Sequence, residues 1–189
     1  AGGGSAPGGE EPFTKFRTNG LITKDGAKMS KSRGNVVSPD EYIAAYGADA
    51  VRMYLAFMAP LGEGGDFRDT GIKGITRFLE RTWRFVQEKS KVIPLEAGQK
   101  LSVHKSSHKT IKKVTEDIEN LQYNTAISAL MMLLNEFEER PNDVSRQDVE
   151  IFLKLLAPFA PHIAEELWQQ CLQRAAAIRN TRYEIRDTN

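Results

Sequence analysis

Two lysines and two serines lie close together on a short polar loop, in the stretch KDGAKMSKSRGN between Lys24 and Asn35. Lysine ammonium groups neutralise the charge that develops on a leaving pyrophosphate, and serine hydroxyls donate hydrogen bonds to phosphate oxygens. Gly26 and Gly34 give the loop the freedom to close over a polyphosphate and to open again. A solvated surface loop has the same composition, and the Walker pattern GxxxxGK[ST] is absent. The candidate residues are Lys28, Ser30, Lys31 and Ser32.

Short elements on both sides must position this loop. Residues 13–22 (FTKFRTNGLI) predict one or two strands, broken at an Asn-Gly turn dipeptide. After the loop, SPDEYIAAYG predicts a helix with Ser38 as N-cap, Glu41 completing a capping box and Gly47 as the stop. A second helix, ADAVRMYLAFMAP, ends at Pro60, and LGEGGD follows as a mobile turn.

Amphipathic patterning predicts a helical bundle over the rest of the chain. Apolar residues recur at helical spacing in four segments, which are residues 69–89, 104–120, 124–139 and 145–171. Pro158 and Pro161 break or kink the last of them. Helices with one apolar face and short loops pack as an antiparallel bundle. The predicted fold class is mainly α, with a small α/β or irregular loop segment followed by that bundle.

The composition limits the class of protein. The chain has 189 residues, 40% hydrophobic and 27% charged, which suits one globular domain, alone or with an appendage. Its formal net charge is +1, so any binding of a polyanion must depend on a local patch. Cys171 is the only cysteine, which excludes an internal disulfide, and no apolar run has the length of a membrane span. We therefore expect a cytoplasmic protein with no membrane partner.

The word KMSKS, at residues 28–32, is the signature loop of class I aminoacyl-tRNA synthetases. Its surroundings, GAKMSKSRGNVVSPDEYIAAYGADAVRMYLA, are similar to the consensus of the leucyl, isoleucyl, valyl and methionyl group, and residues 155–168 (LLAPFAPHIAEELW) resemble a late helix of that group's anticodon-binding bundle. Residues 57–86 (FMAPLGEGGDFRDTGIKGITRFLERTWRFV) resemble the bacterial-type leucyl branch, as do HKTIKKVTEDIE and NTAISALMMLLNEF. Phe67 stands where that branch leads us to expect tryptophan. The resemblance covers residues 11–170.

This resemblance implies an aminoacyl-tRNA ligase that activates leucine with ATP, accompanied by Mg²⁺, and transfers it to tRNA(Leu). Lys31 is then the catalytic lysine that binds the ATP phosphates and stabilises the adenylation transition state. Lys28 assists it, and Ser30 and Ser32 shape the ATP-binding loop. The enzyme is expected to be a monomer.

Other parts of such an enzyme are missing from the sequence, which has no HxGH-type motif, no βαβ units, no leucine pocket and no editing domain. We therefore expect a C-terminal-side fragment that is inactive alone. Its predicted parts are a flexible linker or tag remnant (1–10), the end of the catalytic domain with the loop and connecting helices (11–66), the anticodon-binding-type bundle (67–173) and a disordered or vector-derived tail (174–189).

Two clusters of cations are candidate contacts for tRNA phosphates. They are Arg77, Arg81, Arg84, Lys105, Lys109, Lys112 and Lys113. The alternative for these residues is the solvated face of an amphipathic helix. In the leucyl branch the bundle is thought to dock on the tRNA body rather than to read the anticodon. His104 and His108 have a spacing that could hold a metal, but they lack a third ligand, so no metal site is predicted.

Two other interpretations stay open at this point. One is a fragment of an isoleucyl or valyl synthetase, which residues 57–86 disfavour. The other is a non-catalytic helical module that binds RNA or protein and has only inherited the loop motif.

Overall fold

The computed structural model describes residues 16–92 and 105–170. In these parts of the chain the strands are β1 (Ile22–Lys24), β2 (Ala27–Lys28) and β3 (Gly65–Phe67). The helices are α1 (Pro39–Tyr46), α2 (Ala48–Phe57), α3 (Asp69–Val92), α4 (Lys105–Glu119), α5 (Tyr123–Glu139), α6 (Arg146–Leu156) and α7 over residues 161–170. The predicted linker, inter-helix connection and tail, with His104 and Cys171, lie outside the described residues.

A small sheet in the order β2-β1-β3 carries the loop. β1 and β2 form an antiparallel hairpin, and β3 runs parallel to β1 with Ile22 opposite Gly65. The hairpin turn is Asp25-Gly26, whose φ angles of 53° and 74° are both positive, as an Asp-Gly turn of the tight hairpin type requires.

The predicted strand position was therefore wrong, because residues 16–21 form no strand and the turn does not lie at Asn19-Gly20. Gly20 instead lets two chain segments approach, since a Cβ there would lie 2.0 Å from the Gly64 nitrogen. The segment LGEGGD, predicted to be a turn, contains the beginning of β3.

The helix after the loop begins at Pro39, directly after Ser38, as predicted, and Gly47 ends it with φ 85°. The predicted capping box is wrong, because the Ser38 side chain accepts no hydrogen bond from the helix. A complete capping box occurs instead at α6, where Ser145 and Asp148 bond to each other's backbone nitrogens.

The core lies among α2, α3, α5, α6 and α7, and confirms the mainly helical fold. α4 packs along α5 and α6, while α3 packs on α2. The prolines separate α6 from α7, so the last predicted segment consists of two helices. Apolar positions predicted for the bundle are buried at Ile72, Ile75, Phe78, Val114, Ile127, Leu130, Leu133, Leu134, Phe137, Val149, Phe152, Leu153, Phe159 and Leu167. None of the helices in the described parts is long and apolar enough to cross a membrane.

Charged side chains of α2 hold the turn between α6 and α7. The buried Asp49 carboxylate accepts hydrogen bonds from the backbone nitrogens of His162 and Ile163, at 3.3 and 2.7 Å. Arg52, one helical turn later, donates to the Pro158 carbonyl oxygen at 3.1–3.3 Å. α2 therefore links the loop-bearing part to the last helix of the bundle.

Candidate functional site

The hairpin presents the signature loop at the surface. Lys28 closes β2, and Lys31 and Ser32 belong to a short 3-10 turn, Lys31–Arg33. These side chains are exposed, whereas Ser30 is half-buried. Met29 packs against the apolar core and so fixes the middle of the loop. Neither Lys28 nor Lys31 has an acidic partner among the described residues, so both ammonium groups are available to an anion.

Asn35 fixes the loop backbone, a role that the sequence analysis missed. Its side-chain oxygen accepts a bond from the Ser30 nitrogen at 2.8 Å, and its amide nitrogen donates to the Lys28 carbonyl at 3.2 Å. The hydroxyls of Ser30 and Ser32 are hydrogen-bonded at 2.8 Å. The available signal was an asparagine directly after Gly34, because asparagine side chains commonly bond to nearby backbone in turns.

Asp66 holds the base of the hairpin. One of its carboxylate oxygens accepts bonds from the Gly26 nitrogen at 2.8 Å and from the Thr23 hydroxyl at 2.9 Å. The other accepts from Arg68 Nε at 3.0 Å. These donors, the Gly26 backbone first, lower the pKa of the Asp66 carboxyl below its usual value, because each stabilises the ionised form.

Asp69, the first residue of α3, joins the sheet to the long helix. It accepts a hydrogen bond from the Tyr42 hydroxyl at 2.5 Å and pairs with the Lys24 ammonium at 2.9 Å. The two donors, Tyr42 first, lower the pKa of the Asp69 carboxyl. The same hydrogen bonds raise the pKa values of Tyr42 and Lys24. The loop, α1 and the bundle therefore meet at one polar junction.

The three arginines predicted on α3 do not act as one group. Arg77 and Arg84 are exposed. Arg81, between them on the same helix, is half-buried and bonds to Glu138 and, at 2.6 Å, to the Asn135 side-chain oxygen of α5. The hydrogen bond with Glu138 raises the pKa of the Arg81 guanidinium. Arg81 thus already has intramolecular partners.

The lysines of α4 also divide into two kinds. Lys113 pairs with the buried Asp117 carboxylate at 2.6 Å, and Lys112 approaches Glu116 at 3.8 Å. Lys105 and Lys109 are exposed and form no ion pair among the described residues. α4 and α3 pack mainly against different helices, so the two predicted clusters lie on separately supported surfaces.

Comparison with known proteins assigns both parts of the chain. The family model described as tRNA synthetases class I (I, L, M and V) matches residues 4–67. The model described as anticodon-binding domain of tRNA ligase matches residues 102–188. Together with the fold and the loop, these matches show that the chain belongs to the class I tRNA synthetases.

The curated relatives define the branch. A leucine--tRNA ligase of Thermotoga petrophila is 45% identical over 177 residues, covering 84% of this chain and 22% of the relative. One from Chlorobaculum parvum is 48% identical over 163 residues, covering 85% of this chain and 20% of the relative. The predicted leucyl resemblance is confirmed. The chain spans about a fifth of the length of these relatives.

Solved structures agree with this assignment. A LeuRS of Agrobacterium radiobacter K84, in a ternary complex with tRNA and LeuAMS, matches with a TM-score of 0.75 and 32% identity, covering 85% of this chain and 23% of that one. A Mycobacterium tuberculosis methionyl-tRNA synthetase with methionyl-adenylate matches with a TM-score of 0.61 and 19% identity, covering 79% of this chain and 36% of that one. The second likeness concerns the fold alone.

Proposed function

We propose that this chain supplies the ATP-phosphate-binding loop and a tRNA-docking surface of a leucine--tRNA ligase. The supporting observation is a hairpin with two exposed lysines, Lys28 and Lys31, which is anchored by Asp66 and Asp69 to a helical bundle. The enzyme activates leucine with ATP and transfers it to tRNA(Leu), and we place it in the cytoplasm as a monomer. The chain is expected to be inactive alone.

In the proposed reaction the leucine carboxylate attacks the α-phosphorus of ATP, the bond to pyrophosphate breaks, and leucyl-adenylate forms. Negative charge builds on the departing pyrophosphate. Lys31 would contact these phosphates in the transition state, and Lys28 would assist. A cation that acts on charge developing in the transition state raises the rate of the step more than it tightens ATP binding. Ser30 and Ser32, linked by their hydroxyls, would keep the loop in shape.

The Mg²⁺ that accompanies ATP does not fit this chain's own residues. Mg²⁺ prefers carboxylate and phosphate oxygens. The carboxylates of Asp66 and Asp69 already accept bonds from nitrogen and hydroxyl donors. The described parts of the chain contain no cluster of three side chains suited to hold a metal. The described residues therefore offer the ion no ligand.

The tRNA-docking surface would use the exposed cations Arg77, Arg84, Lys105 and Lys109. Contacts of such side chains to phosphates give binding that weakens with salt and carries little sequence information. Arg81 and Lys113 already pair with Glu138 and Asp117. These two cations would therefore contribute less to tRNA binding than the four exposed ones. Lys112, with a longer contact to Glu116, would be intermediate.

A chimera tests the loop. Residues 16–170 would replace the corresponding segment of the Thermotoga maritima leucine--tRNA ligase, a relative with 45% identity. We expect leucine-dependent ATP–pyrophosphate exchange from the chimera and none from the 189-residue chain. Lys31→Ala should lower kcat by about 10²–10³-fold. Arg33→Ala, an exposed cation of the same turn, should change it by less than about tenfold. Equal effects of the two substitutions would overturn the assigned role of Lys31.

A salt series tests docking. Fluorescence anisotropy would follow the binding of the 189-residue chain to leucine tRNA and to an unrelated tRNA. We expect weak binding with little discrimination, and an affinity that falls linearly on a log–log plot against salt concentration. The absence of binding to either tRNA at low salt would overturn the docking surface and leave the loop proposal standing.

A further inference from the structure

A groove between the end of α1 and the side of α3 has no role in the function proposed so far. It consists of two adjoining cavities of about 810 and about 510 Å³. Tyr46 and Thr76 line both cavities, so they form the ridge where the two meet. Both volumes lie in the range of small-molecule sites. The α3 wall falls between residues 67 and 102, which neither family model matches.

The smaller cavity has the chemistry of an anion site. Its remaining lining residues are Thr70, Lys73 and Arg77. The two cations are four residues apart and therefore lie on the same face of α3. No carboxylate lines this cavity, and the threonine side chains bring hydroxyl groups to its wall. One phosphate would find two positive charges and the Thr70 hydroxyl here, whereas the Thr76 hydroxyl already donates to the Ile72 carbonyl oxygen at 3.0 Å.

The larger cavity has the chemistry of a base site. Its wall includes the half-buried side chains of Trp83 and Tyr46, together with the apolar side chains of Leu79 and Ile163. Aromatic side chains in a water-accessible cavity are the surfaces on which single-stranded bases stack, and each stacked base contributes about 1–3 kcal/mol.

Two charged residues, Arg84 and Glu80, also line the larger cavity, and both are exposed. Arg84 adds a third cation to the groove. Glu80 has no hydrogen-bond partner among the described residues, so its carboxylate can accept a bond from an exocyclic amine of a base. The other acid, Asp49, is already occupied by the backbone nitrogens at the start of α7.

We propose that this groove binds one unpaired nucleotide of an RNA strand. The phosphate lies between Lys73 and Arg77, and the base lies against Trp83 and Tyr46 with its amine towards Glu80. Arg81 takes no part, because it faces α5. The inference rests on the proposed docking of RNA, but it adds a requirement for an unpaired base that contacts to phosphates alone do not have.

The chain has two tryptophans, so Trp168→Phe leaves Trp83 as the only tryptophan reporter. This full-length variant, with its helicity checked by circular dichroism, would be titrated with a short single-stranded oligocytidylate and with an RNA duplex carrying the same number of phosphates. We expect the single strand to quench Trp83 fluorescence and the duplex to bind without quenching. Oligouridylate, which has no exocyclic amine, should bind more weakly than oligocytidylate, and Glu80→Ala should remove that difference.

Two substitutions locate the base and the phosphate. Tyr46→Leu should weaken single-strand binding by about 5- to 160-fold, in line with the loss of one stacked base, and leave duplex binding unchanged. Tyr123→Leu, which alters a half-buried tyrosine in a different cavity, is the matched control and should change neither single-strand nor duplex binding. Arg77→Gln, at an exposed position, should lower single-strand affinity and reduce the salt slope by about 1.

The possible outcomes separate the two proposals. Equal binding of single strand and duplex without a change in Trp83 fluorescence would overturn the base site while docking stands. Duplex binding with no single-strand binding would have the same meaning. Failure of both RNAs to bind at low salt would overturn docking, and the base site with it. Quenching with unchanged single-strand affinity in both Tyr46→Leu and Arg77→Gln would place the ligand elsewhere and overturn the site.

Discussion

The loop-bearing region and the helical bundle are held in shape by different forces. Neither α1 nor the 3-10 turn Lys31–Arg33 buries a single side chain. The neighbouring loop and hairpin backbone is held by single hydrogen bonds, such as those of Asn35 to Ser30 and of Asp66 to Gly26. In contrast, α5 buries six side chains in the common core, Ala126, Ile127, Leu130, Leu133, Leu134 and Phe137.

This difference suits the roles proposed for the two regions, a loop that moves over ATP and a bundle that supports it. A loop that must close over a polyphosphate and release it cannot be locked by a large apolar contact, because each opening would expose that surface to water. A single hydrogen bond contributes about 0.5–1.5 kcal/mol, which thermal motion can overcome locally. The bundle supplies the fixed support, and the junction of Lys24, Tyr42 and Asp69 transmits its position to the hairpin.

The largest expected effect comes from the bundle core. Leu134 is fully buried, with 0% of its surface exposed. Leu134→Ala should lower the free energy of unfolding by about 2–5 kcal/mol, because it removes buried methyl groups and leaves a cavity. Met132→Ala, on the same helix at a side chain that is 70% exposed, should change it by less than about 0.5 kcal/mol. Urea denaturation followed by circular dichroism measures both, and similar losses would contradict the assigned core.

Two serines that precede helices sharpen the comparison. Ser145→Ala should lower the free energy of unfolding by about 0.5–2 kcal/mol, because its hydroxyl accepts a bond from the Asp148 nitrogen in a buried capping box. Ser38→Ala should have a smaller effect, since the Ser38 side chain makes no capping bond to α1. The same denaturation experiment compares them. A larger loss for Ser38 would restore the cap predicted from the sequence and reverse the ranking of the two regions.

These serines illustrate what the sequence could and could not predict. Helix existence followed from apolar periodicity, which long helices such as α3 display over many turns. The end of α1 at Gly47 could be predicted for the same reason, because the signal for it lies in neighbouring residues of the sequence. Whether a serine hydroxyl reaches a backbone nitrogen depends on backbone angles at the cap, and the pattern S-x-x-E does not contain that information.

The site was predictable to the same extent. Lys28 and Lys31 came from a motif whose residues are adjacent in sequence. Tyr46 and Trp83 could not be grouped in advance, because they are 37 residues apart and line the same cavity only in the folded chain. Arg81 was grouped with its neighbours on helical spacing alone, which does not reveal that α5 supplies its partners.

The hairpin base should respond to acid. The folded-state pKa of Asp66 is lowered, so its ionised form stabilises the hairpin above the unfolded pKa of about 4, and this stabilisation is lost as the pH falls through the folded value. Asp66→Asn should therefore be less stable than the parent protein at pH 7, and this loss of stability should shrink below about pH 4. The Gly26 amide resonance, which reports the bond to Asp66, should titrate with the same midpoint. A difference that grows in acid would contradict the assigned carboxylate contacts.

The smallest change in overall stability should come from Asn35, with a clear local effect. Asn35→Ala removes the acceptor for the Ser30 nitrogen and the donor to the Lys28 carbonyl. We expect faster hydrogen exchange at the Ser30 amide and a loss of less than about 1.5 kcal/mol in the free energy of unfolding. Asn35→Asp keeps the acceptor and loses the donor, so Ser30 should keep more protection than in Asn35→Ala. Unchanged hydrogen exchange at Ser30 in both variants would mean that the packing of Met29 alone fixes the loop conformation. The contrast between a hydrogen-bonded loop and an apolar bundle would then not hold for the residues proposed to bind ATP.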